Sequence, residues 1–356
     1  MVHHHDRFFS LLSCIRRSLP LSSTRSVPSV QENLGGGLTS TMEPSDYMEI
    51  CLVPMMTVFS EENVLSAMQY RPRVNDTVIA TYPKCGTTWT QYIVSNILTR
   101  VNTPIKPGEY MLFSPLIELT GAEVADRLER KGPVITHLPL SNMVFSKQAK
   151  YIYVARNPYD CCVSCYYFFL GLTPKSTDDV SFGTFLEKFL AGKTLYGGFF
   201  EHLLPWYNLR DEPNVLFFTY EQLKSDTGLW ILKIADFLGE EHGKALREDR
   251  DFYERVLQSS SLQAMKVVFN YTPFERIQSL GNLSQERSLR CLDFCQAFSA
   301  AAPEMHRGSA FVRSGKVGDW KVHFTPEQVE KTKAWIEEKT KGSDVMTLWK
   351  DLDIPH

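Results

Sequence analysis

Thr81-Tyr82-Pro83-Lys84-Cys85-Gly86-Thr87-Thr88-Trp89 is the stretch on which the fold turns. The apolar run Val78-Ile79-Ala80, opened by β-branched Thr77, precedes it and predicts a strand. Trp89, Tyr92, Ile93, Ile97 and Leu98 follow at spacings of three and four, the period of an amphipathic helix. Strand, tight turn and helix therefore meet at a corner that holds a lysine, a glycine and two threonines. A helix N-terminus presents unpaired N–H groups and partial positive charge, which suits an anion. Gly86 permits close backbone approach, Thr87 and Thr88 add hydroxyls, and Lys84 supplies a mobile full charge. The corner is predicted to hold a phosphate or sulfate group, although similar corners also serve as plain architecture in α/β proteins. It is not a Walker A loop, because its lysine precedes the glycine and G-x-x-x-x-G-K-[ST] is absent.

Working outward, Pro133-Val134-Ile135-Thr136-His137-Leu138-Pro139 reads as a short strand that ends in a histidine and is stopped by proline. Strand ends that face a cleft are where α/β enzymes place polar working groups, so His137 is a candidate, with a structural role as the alternative. Tyr151 to Ala155 is almost continuously apolar, as in a parallel strand covered on both faces. It runs into Arg156, then Asn157 as a helix N-cap and Pro158 at the first helical position, with the helix reaching Phe169. Arg156 and Ser164, two helical turns on, suggest a second anion clamp, or else a surface ion pair and a small packing residue.

Residues 181–209 carry helical periodicity, Val215 to Thr219 is a fourth strand closed by Tyr220-Glu221, and a helix is expected from Gln222 through Leu238 to Gly239. This alternation predicts an α/β fold, a single domain with a central, mostly parallel sheet flanked by helices. From about Asp249 the pattern loosens, and residues 277–310, rich in Ser, Ala, Arg and Gln, read as a helical, lid-like insertion. Arg313 to Lys321 forms a basic, glycine-containing loop suited to an anion. A final helix is expected to start at Thr325, with Pro326 and Gln328 completing the start signal, and to reach about Lys341.

The chain has 356 residues, 43% hydrophobic and 22% charged, the composition of a globular protein with a sizeable core. A net charge of -3 gives no support for a nucleic-acid surface. No apolar run approaches the ~20 residues needed to span a membrane. Of eight cysteines, Cys161, Cys162 and Cys165 crowd one segment and Cys291 and Cys295 lie one turn apart, without zinc-ribbon spacing. Reduced thiols in a cytosolic-type compartment are expected, and no metal. His3-His4-His5 has no neighbours to complete a metal site, and the sequons at Asn75, Asn270 and Asn282 matter only in a secreted chain. Residues 1–45 hold Arg7, Arg16, Arg17 and Arg25 among serines, with no acid between Asp6 and Glu32. They read as an N-terminal extension, either disordered or a targeting segment, ahead of a domain at 46–356. The expected location is cytoplasmic, with a mitochondrial address as the alternative.

Five motifs then fall in one order: Tyr82-Pro83-Lys84-x-Gly86-Thr87-Thr88-Trp89; Thr136-His137-Leu138-Pro139; Tyr153-Val154-Ala155-Arg156-Asn157-Pro158 with Ser164; Tyr220-Glu221; and Arg313-x-Gly315-x-x-Gly318-Asp319-Trp320-Lys321. In order and spacing the chain resembles the cytosolic sulfotransferase family over residues 48–353. The resemblance implies a P-loop-like fold and transfer of a sulfuryl group from 3′-phosphoadenosine 5′-phosphosulfate (PAPS), leaving PAP, to a hydroxyl or amine of a small acceptor such as a phenol, catecholamine or sterol. It assigns the 5′-phosphosulfate to Lys84, Gly86, Thr87 and Thr88, with Trp89 against the adenine. His137 becomes the general base, and Lys84 also neutralises charge on the leaving oxygen. Arg156, Ser164, Arg313 and Gly315 match the 3′-phosphate clamp, Tyr220 an adenine contact, and Ser260 a further small hydroxyl contact. No metal is implied.

Several positions depart from the family pattern. Cys85 stands in place of Ser, Ser314 in place of a Lys beside the 3′-phosphate, Leu262 in place of Phe near adenine, and Ile135 in place of a Lys before the histidine. The family's homodimer motif fits at Lys321, Thr325 and Glu330 but has Pro326 where a Val is usual. The acceptor pocket is expected from residues 105–120, 166–173 and 265–300, with at most two of Tyr166, Tyr167, Phe168 and Phe169 facing the ligand. Two rival readings stand beside this one. One is a protein of the same fold that binds a nucleotide or hydrophobic ligand without turnover. The other is a nucleoside or nucleotide kinase, which would need the Walker A loop this chain lacks.

Overall fold

The computed structural model describes residues 47–50, 53–56, 59–100, 106–127, 130–172, 181–287 and 312–355. Its strands are β1 (Tyr47–Ile50), β2 (Val53–Met56), β3 (Thr77–Ala80), β4 (Val134–Thr136), β5 (Lys150–Ala155) and β6 (Val215–Thr219). The first two pair as an antiparallel hairpin that the sequence pattern did not announce. The other four form one all-parallel sheet in the order β4-β3-β5-β6, matching the expected α/β class.

β3 lies between β4 and β5, so all four of its residues are buried and its apolar run needs no alternation. Val78 faces Val134 on one side and Tyr151 on the other. The chain leaves β3 to build β4, then crosses to the far side to build β5. That reversal puts a crevice at the carboxyl ends of β3, β4 and β5, the usual place for a ligand in an open parallel sheet. The residues just beyond those three ends are Thr81 to Lys84, His137 and Arg156.

The helix starts follow the capping residues. Gly86 adopts a left-handed backbone, φ 109°, ahead of the helix Thr87–Thr99. Asn157 accepts from the Asp160 N–H and Pro158 opens the helix Pro158–Leu170. The continuous helix expected over 222–238 is broken, however. Thr219 and Gln222 make a capping box for Tyr220–Ser225, and Asp226 then caps a second helix, Thr227–Leu238. An acceptor side chain at Asp226 thus overrides an unbroken apolar period. Residues 181–209 likewise divide into Phe182–Leu190 and Phe199–Tyr207, because Gly192, Tyr196 and Gly197 between them are all left-handed. The loosened pattern after Asp249 resolves into Arg250–Ser259, Leu262–Val268 and Pro273–Arg287. Asp249 and Ser261 cap the first two.

The helix Pro273–Arg287 covers the beginning of the expected lid and docks on Pro107–Phe113. The Gly108 N–H donates to Ser279 Oγ at 3.0 Å, and a Cβ at Gly108 would lie 2.6 Å from the Ser279 carbonyl oxygen. The remainder of that lid, residues 288–310, lies outside the described residues, as do residues 1–45 and Cys291 and Cys295. The last helix, Pro326–Lys339, carries the expected capping box. Cys85, Cys161, Cys162 and Cys165 are buried and unbridged.

One carboxylate ties the sheet to the C-terminal segment. Glu221 Oε1 accepts from the Asn157 backbone N–H (3.0 Å) and side-chain amide (2.8 Å), and Oε2 accepts from Trp349 Nε1 (2.9 Å). All three residues are buried, so removing the carboxylate strands three donors away from water. We expect Glu221→Ala to lower the unfolding free energy in urea by about 2–4 kcal/mol. A change below about 0.5 kcal/mol would contradict this role.

Candidate active site

Thr81, the first residue beyond β3, joins the two strands that carry the candidate groups. Its N–H donates to the Thr136 carbonyl at 3.2 Å, continuing the β3–β4 ladder by one rung. Its own carbonyl lies 2.8 Å from His137 Nδ1, and its hydroxyl 3.2 Å from the same nitrogen. A carbonyl can only accept, so Nδ1 carries the proton and Nε2 keeps its lone pair. The Thr81 hydroxyl also lies 2.6 Å from the Thr87 hydroxyl, at the first residue of the helix. A short hydrogen-bonded path therefore runs from the histidine ring to the anion corner.

The histidine is held neutral. Burial, reinforced by the charges of Arg276 and Lys84, pushes its pKa down to about 4 against the pull of the Thr81 carbonyl. Lys84 sits across the cleft with a left-handed backbone, φ 68°, a conformation that non-glycine residues seldom adopt. Its Nζ lies 4.6 Å from the centre of the Phe168 ring. Loss of solvent, together with Arg156, Arg276 and Arg313, pulls its pKa down to about 8. The corner thus gathers the positive charges of Lys84, Arg156, Arg276 and Arg313, which favours a bound anion.

Arg156, at the end of β5, stitches two loops together. Its Nη1 donates to the Lys84 carbonyl (3.2 Å) and its Nη2 to the Lys316 carbonyl (3.3 Å), while the guanidinium lies 4.5 Å over Tyr220. Its Nε is buried with no partner among the described residues. The C-terminal loop is folded back by buried Asp160, which accepts from the Gly318 N–H (2.7 Å) and the Trp320 N–H (3.0 Å). That brings Arg313 and Gly315 to the same wall. Arg313 pairs with Asp319 and lies 4.5 Å over Tyr167. Gly315 has φ 63°, and a Cβ there would stand 2.8 Å from Leu262, so the departure at Leu262 has a packing partner.

Trp89 and Tyr220 meet edge to face at 5.5 Å, and Trp89 Nε1 donates to the Ser260 carbonyl at 2.8 Å. The Ser260 hydroxyl donates to the Val256 carbonyl at 2.6 Å, while its carbonyl holds Trp89. A Cβ at Gly86 would lie 3.1 Å from the Tyr220 ring, which explains a glycine there beyond its backbone angle.

All twelve residues singled out from the sequence, Lys84, Gly86, Thr87, Thr88, Trp89, His137, Arg156, Ser164, Tyr220, Ser260, Arg313 and Gly315, line one cleft of about 230 Å³. Its other walls are apolar. Met111, Leu116 and Leu119, then Phe168 and Leu172, then Met265 and Ile277, come from the three expected segments. Of the four aromatics at 166–169 only Phe168 faces it. Phe59, Leu195 and Tyr196 were not anticipated, because their segments carry no motif.

The sulfotransferase domain profile matches residues 74–344, from just ahead of β3 to beyond the final long helix. The chain belongs to the sulfotransferase family. It is an enzyme of that class, whose co-substrate is PAPS. Sulfotransferase 2A1 of Rattus norvegicus is 37% identical over 273 residues, covering 75% of this chain and 85% of the relative. Sulfotransferase 1E1 of Homo sapiens is 32% identical over 290 residues, covering 78% and 87%. Among solved structures, mouse sulfotransferase SULT7A1 complexed with PAP superposes with a TM-score of 0.63 at 26% identity, covering 86% of this chain and 98% of that one. Retinol dehydratase in complex with androsterone and inactive cofactor PAP shares the fold, with a TM-score of 0.60 at 23% identity over 82% and 88%.

Within this sulfotransferase, motif reading missed Thr81, Glu118, Tyr196 and His202. Thr81 had a signal, a hydroxyl on the residue linking strand to loop; the other three act through tertiary contacts. His202 is buried against the backbone of His137, and burial takes its pKa down to about 3. Buried Glu118 shifts the other way, pushed up to about 7 by desolvation against the hydrogen bonds it accepts.

These shifts fix the sign of the acid response. His137 and His202 are kept neutral when folded but take up protons near 6.5 when unfolded, so their contribution is complete above 6.5 and drains as pH falls toward about 4 and 3. Glu118 opposes them, its contribution being present below its ordinary 4.5 and lost as pH rises through about 7. We expect the urea midpoint of His202→Phe to fall less between pH 6.5 and 4.5 than that of the wild type. Equal falls would contradict the assignment.

Proposed function

We propose that this enzyme moves the sulfuryl group of PAPS to the hydroxyl of an uncharged, largely apolar acceptor, with His137 as base and Lys84 at the leaving oxygen. The observation that carries this reading is that a neutral imidazole with its Nε2 lone pair available shares one cleft with Lys84 and is linked through Thr81 to Thr87 at the anion corner.

The donor walls suit a nucleotide that carries anionic groups at two ends. Arg156 has a buried Nε with no partner among the described residues, Gly86 and Gly315 present left-handed backbone without a side chain, and Trp89 and Tyr220 line the same cleft. Lys84 with the Gly86–Thr88 turn would hold the phosphosulfate end. Arg156, Ser164, Arg313 and Gly315 would hold the 3′-phosphate, with Arg313 shared between Asp319 and the ligand. PAPS supplies the activated sulfuryl group.

The chemistry asked of the chain is then modest. His137 Nε2 takes the acceptor's proton as its oxygen bonds to sulfur, and Thr81 holds the opposite nitrogen so that the lone pair keeps its direction. Lys84 offsets the charge that grows on the bridging oxygen as the old S–O bond breaks. Nearby anionic groups of the donor would raise the pKa values of both residues, making the base stronger and the lysine fully charged.

The acceptor class follows from the far wall. Phe59, Met111, Leu119, Leu172 and Ile277 are apolar, and no Asp or Glu lines the cleft among the described residues, whereas Lys84, Arg156, Lys224, Arg276 and Arg313 do. An ammonium-bearing catecholamine would meet like charge without a counter-ion. A hydroxysteroid or simple phenol would bury its body at no electrostatic cost. The mitochondrial or cytoplasmic address and the dimer contact at Pro326 do not enter this reading.

Incubation with sulfur-labelled PAPS and a hydroxysteroid, 2-naphthol or dopamine tests it. We expect transfer to the first two above dopamine, a loss of about 10²- to 10⁴-fold in His137→Ala, and about 10²- to 10³-fold in Lys84→Met. Transfer by His137→Ala at the wild-type rate would overturn the base assignment. Tight PAP binding without transfer to any acceptor would favour the binding-protein reading.

A further inference from the structure

His137 is gripped by its main chain as well as by its ring. Glu118, 0% exposed and two residues past the β-bridge at Leu116, points Oε1 at the turn after β4. That oxygen accepts the His137 N–H at 2.5 Å and the Thr136 hydroxyl at 3.0 Å. Thr136 Oγ1 in turn accepts the Leu138 N–H at 3.1 Å. On the other side of the same residue, His202 Nε2 lies 3.0 Å from the His137 carbonyl, and His202 Nδ1 lies 2.9 Å from the Tyr153 hydroxyl. Because a carbonyl only accepts, His202 donates from Nε2 and receives the tyrosine proton at Nδ1, which is the neutral tautomer.

We propose that Glu118 and His202 are positioning residues for sulfuryl transfer, holding the peptide groups on the two sides of His137 so that its Nε2 is aimed at the acceptor hydroxyl. The inference rests on the reading of His137 as the base. Neither residue lines the cleft, and neither meets the imidazole ring, whose Nδ1 is occupied by Thr81. Glu118 therefore does not act as the carboxylate of a serine-protease-type triad does, by stabilising an imidazolium through its ring nitrogen. It works as a hydrogen-bond acceptor for the backbone, and an uncharged amide oxygen would serve as well.

The placement also explains why these polar groups are kept inside. Two buried ionisable side chains, each fully shielded, would be costly filler; here each satisfies a peptide group at a strand end where the ladder has run out. Glu118 belongs to the short helix Ile117–Thr120 and His202 to the helix Phe199–Tyr207, so the peptide groups of His137 are held from two separate elements. Such support is what holds a reacting atom to within a fraction of an ångström.

A base-positioning role separates from general damage by the acidity of the acceptor. A hydroxysteroid alcohol needs its proton removed, whereas 4-nitrophenol at mildly alkaline pH is already ionised. Single-turnover transfer from PAPS to both acceptors is measured for wild type, Glu118→Ala, Glu118→Gln, His202→Phe and His137→Ala, with PAP affinity as the control. We expect Glu118→Ala and His202→Phe to lose about 10- to 100-fold on the hydroxysteroid and less than about threefold on 4-nitrophenol. PAP affinity should stay within about twofold, and Glu118→Gln should remain near wild type on both acceptors. His137→Ala should show the same selectivity more strongly. If His137→Ala shows it and folded His202→Phe does not, the positioning role is overturned while the base reading stands. If His137→Ala loses both acceptors equally, the base reading itself fails. Should Glu118→Ala not fold, Glu118→Gln decides for that residue: a loss on the hydroxysteroid comparable to that of His137→Ala overturns it.

Discussion

The site depends on Thr81 more than on any charged residue. One residue beyond the buried strand β3, it uses its N–H to extend the ladder to β4, its carbonyl to fix the protonated nitrogen of His137, and its hydroxyl to meet Thr87. None of these contacts involves a net charge, so the geometry is set before a charged ligand arrives. The His137 imidazole and Thr87 at the glycine corner are then two ends of one hydrogen-bonded unit, fixed by the central position of β3 in the sheet.

Desolvation governs the electrostatics around that unit. Burial keeps His137 neutral and likewise lowers the pKa of Lys84, and the charge of Arg276 pushes both in the same direction. An anionic donor would reverse both effects at once. Under the proposed role of His137, donor binding would thereby raise the proton affinity of the imidazole. Arg156 takes part by a different route: its guanidinium bridges the carbonyls of Lys84 and Lys316, linking the anion corner to the C-terminal loop that carries Arg313 and Gly315.

Much of this was legible from residue order. Strand, glycine corner and helix at 77–99 announced the sheet and the corner that opens on the cleft. The His137 and Arg156 strand ends fell where a reversing parallel sheet opens its crevice, and twelve named residues meet in one cleft. What local pattern could not express was burial of polar groups by distant partners. Glu118, Tyr196 and His202 carry no motif, and their surroundings come from residues tens of positions away. Helix breaks were missed for a related reason, since at Asp226 a single side-chain cap outweighs a continuous apolar period. Ser260 lines the cleft as a residue whose hydroxyl also donates to the Val256 carbonyl, a contact residue order did not show.

The most direct test of the central claim is nitrogen NMR of the His137 imidazole in the free enzyme, assigned by comparison with His137→Ala. The account predicts a neutral ring protonated at Nδ1 at neutral pH, remaining neutral on acidification until the pH approaches about 4. A ring protonated at Nε2, or an imidazolium at neutral pH, would contradict it, because the lone pair assigned to the acceptor's proton would then not exist.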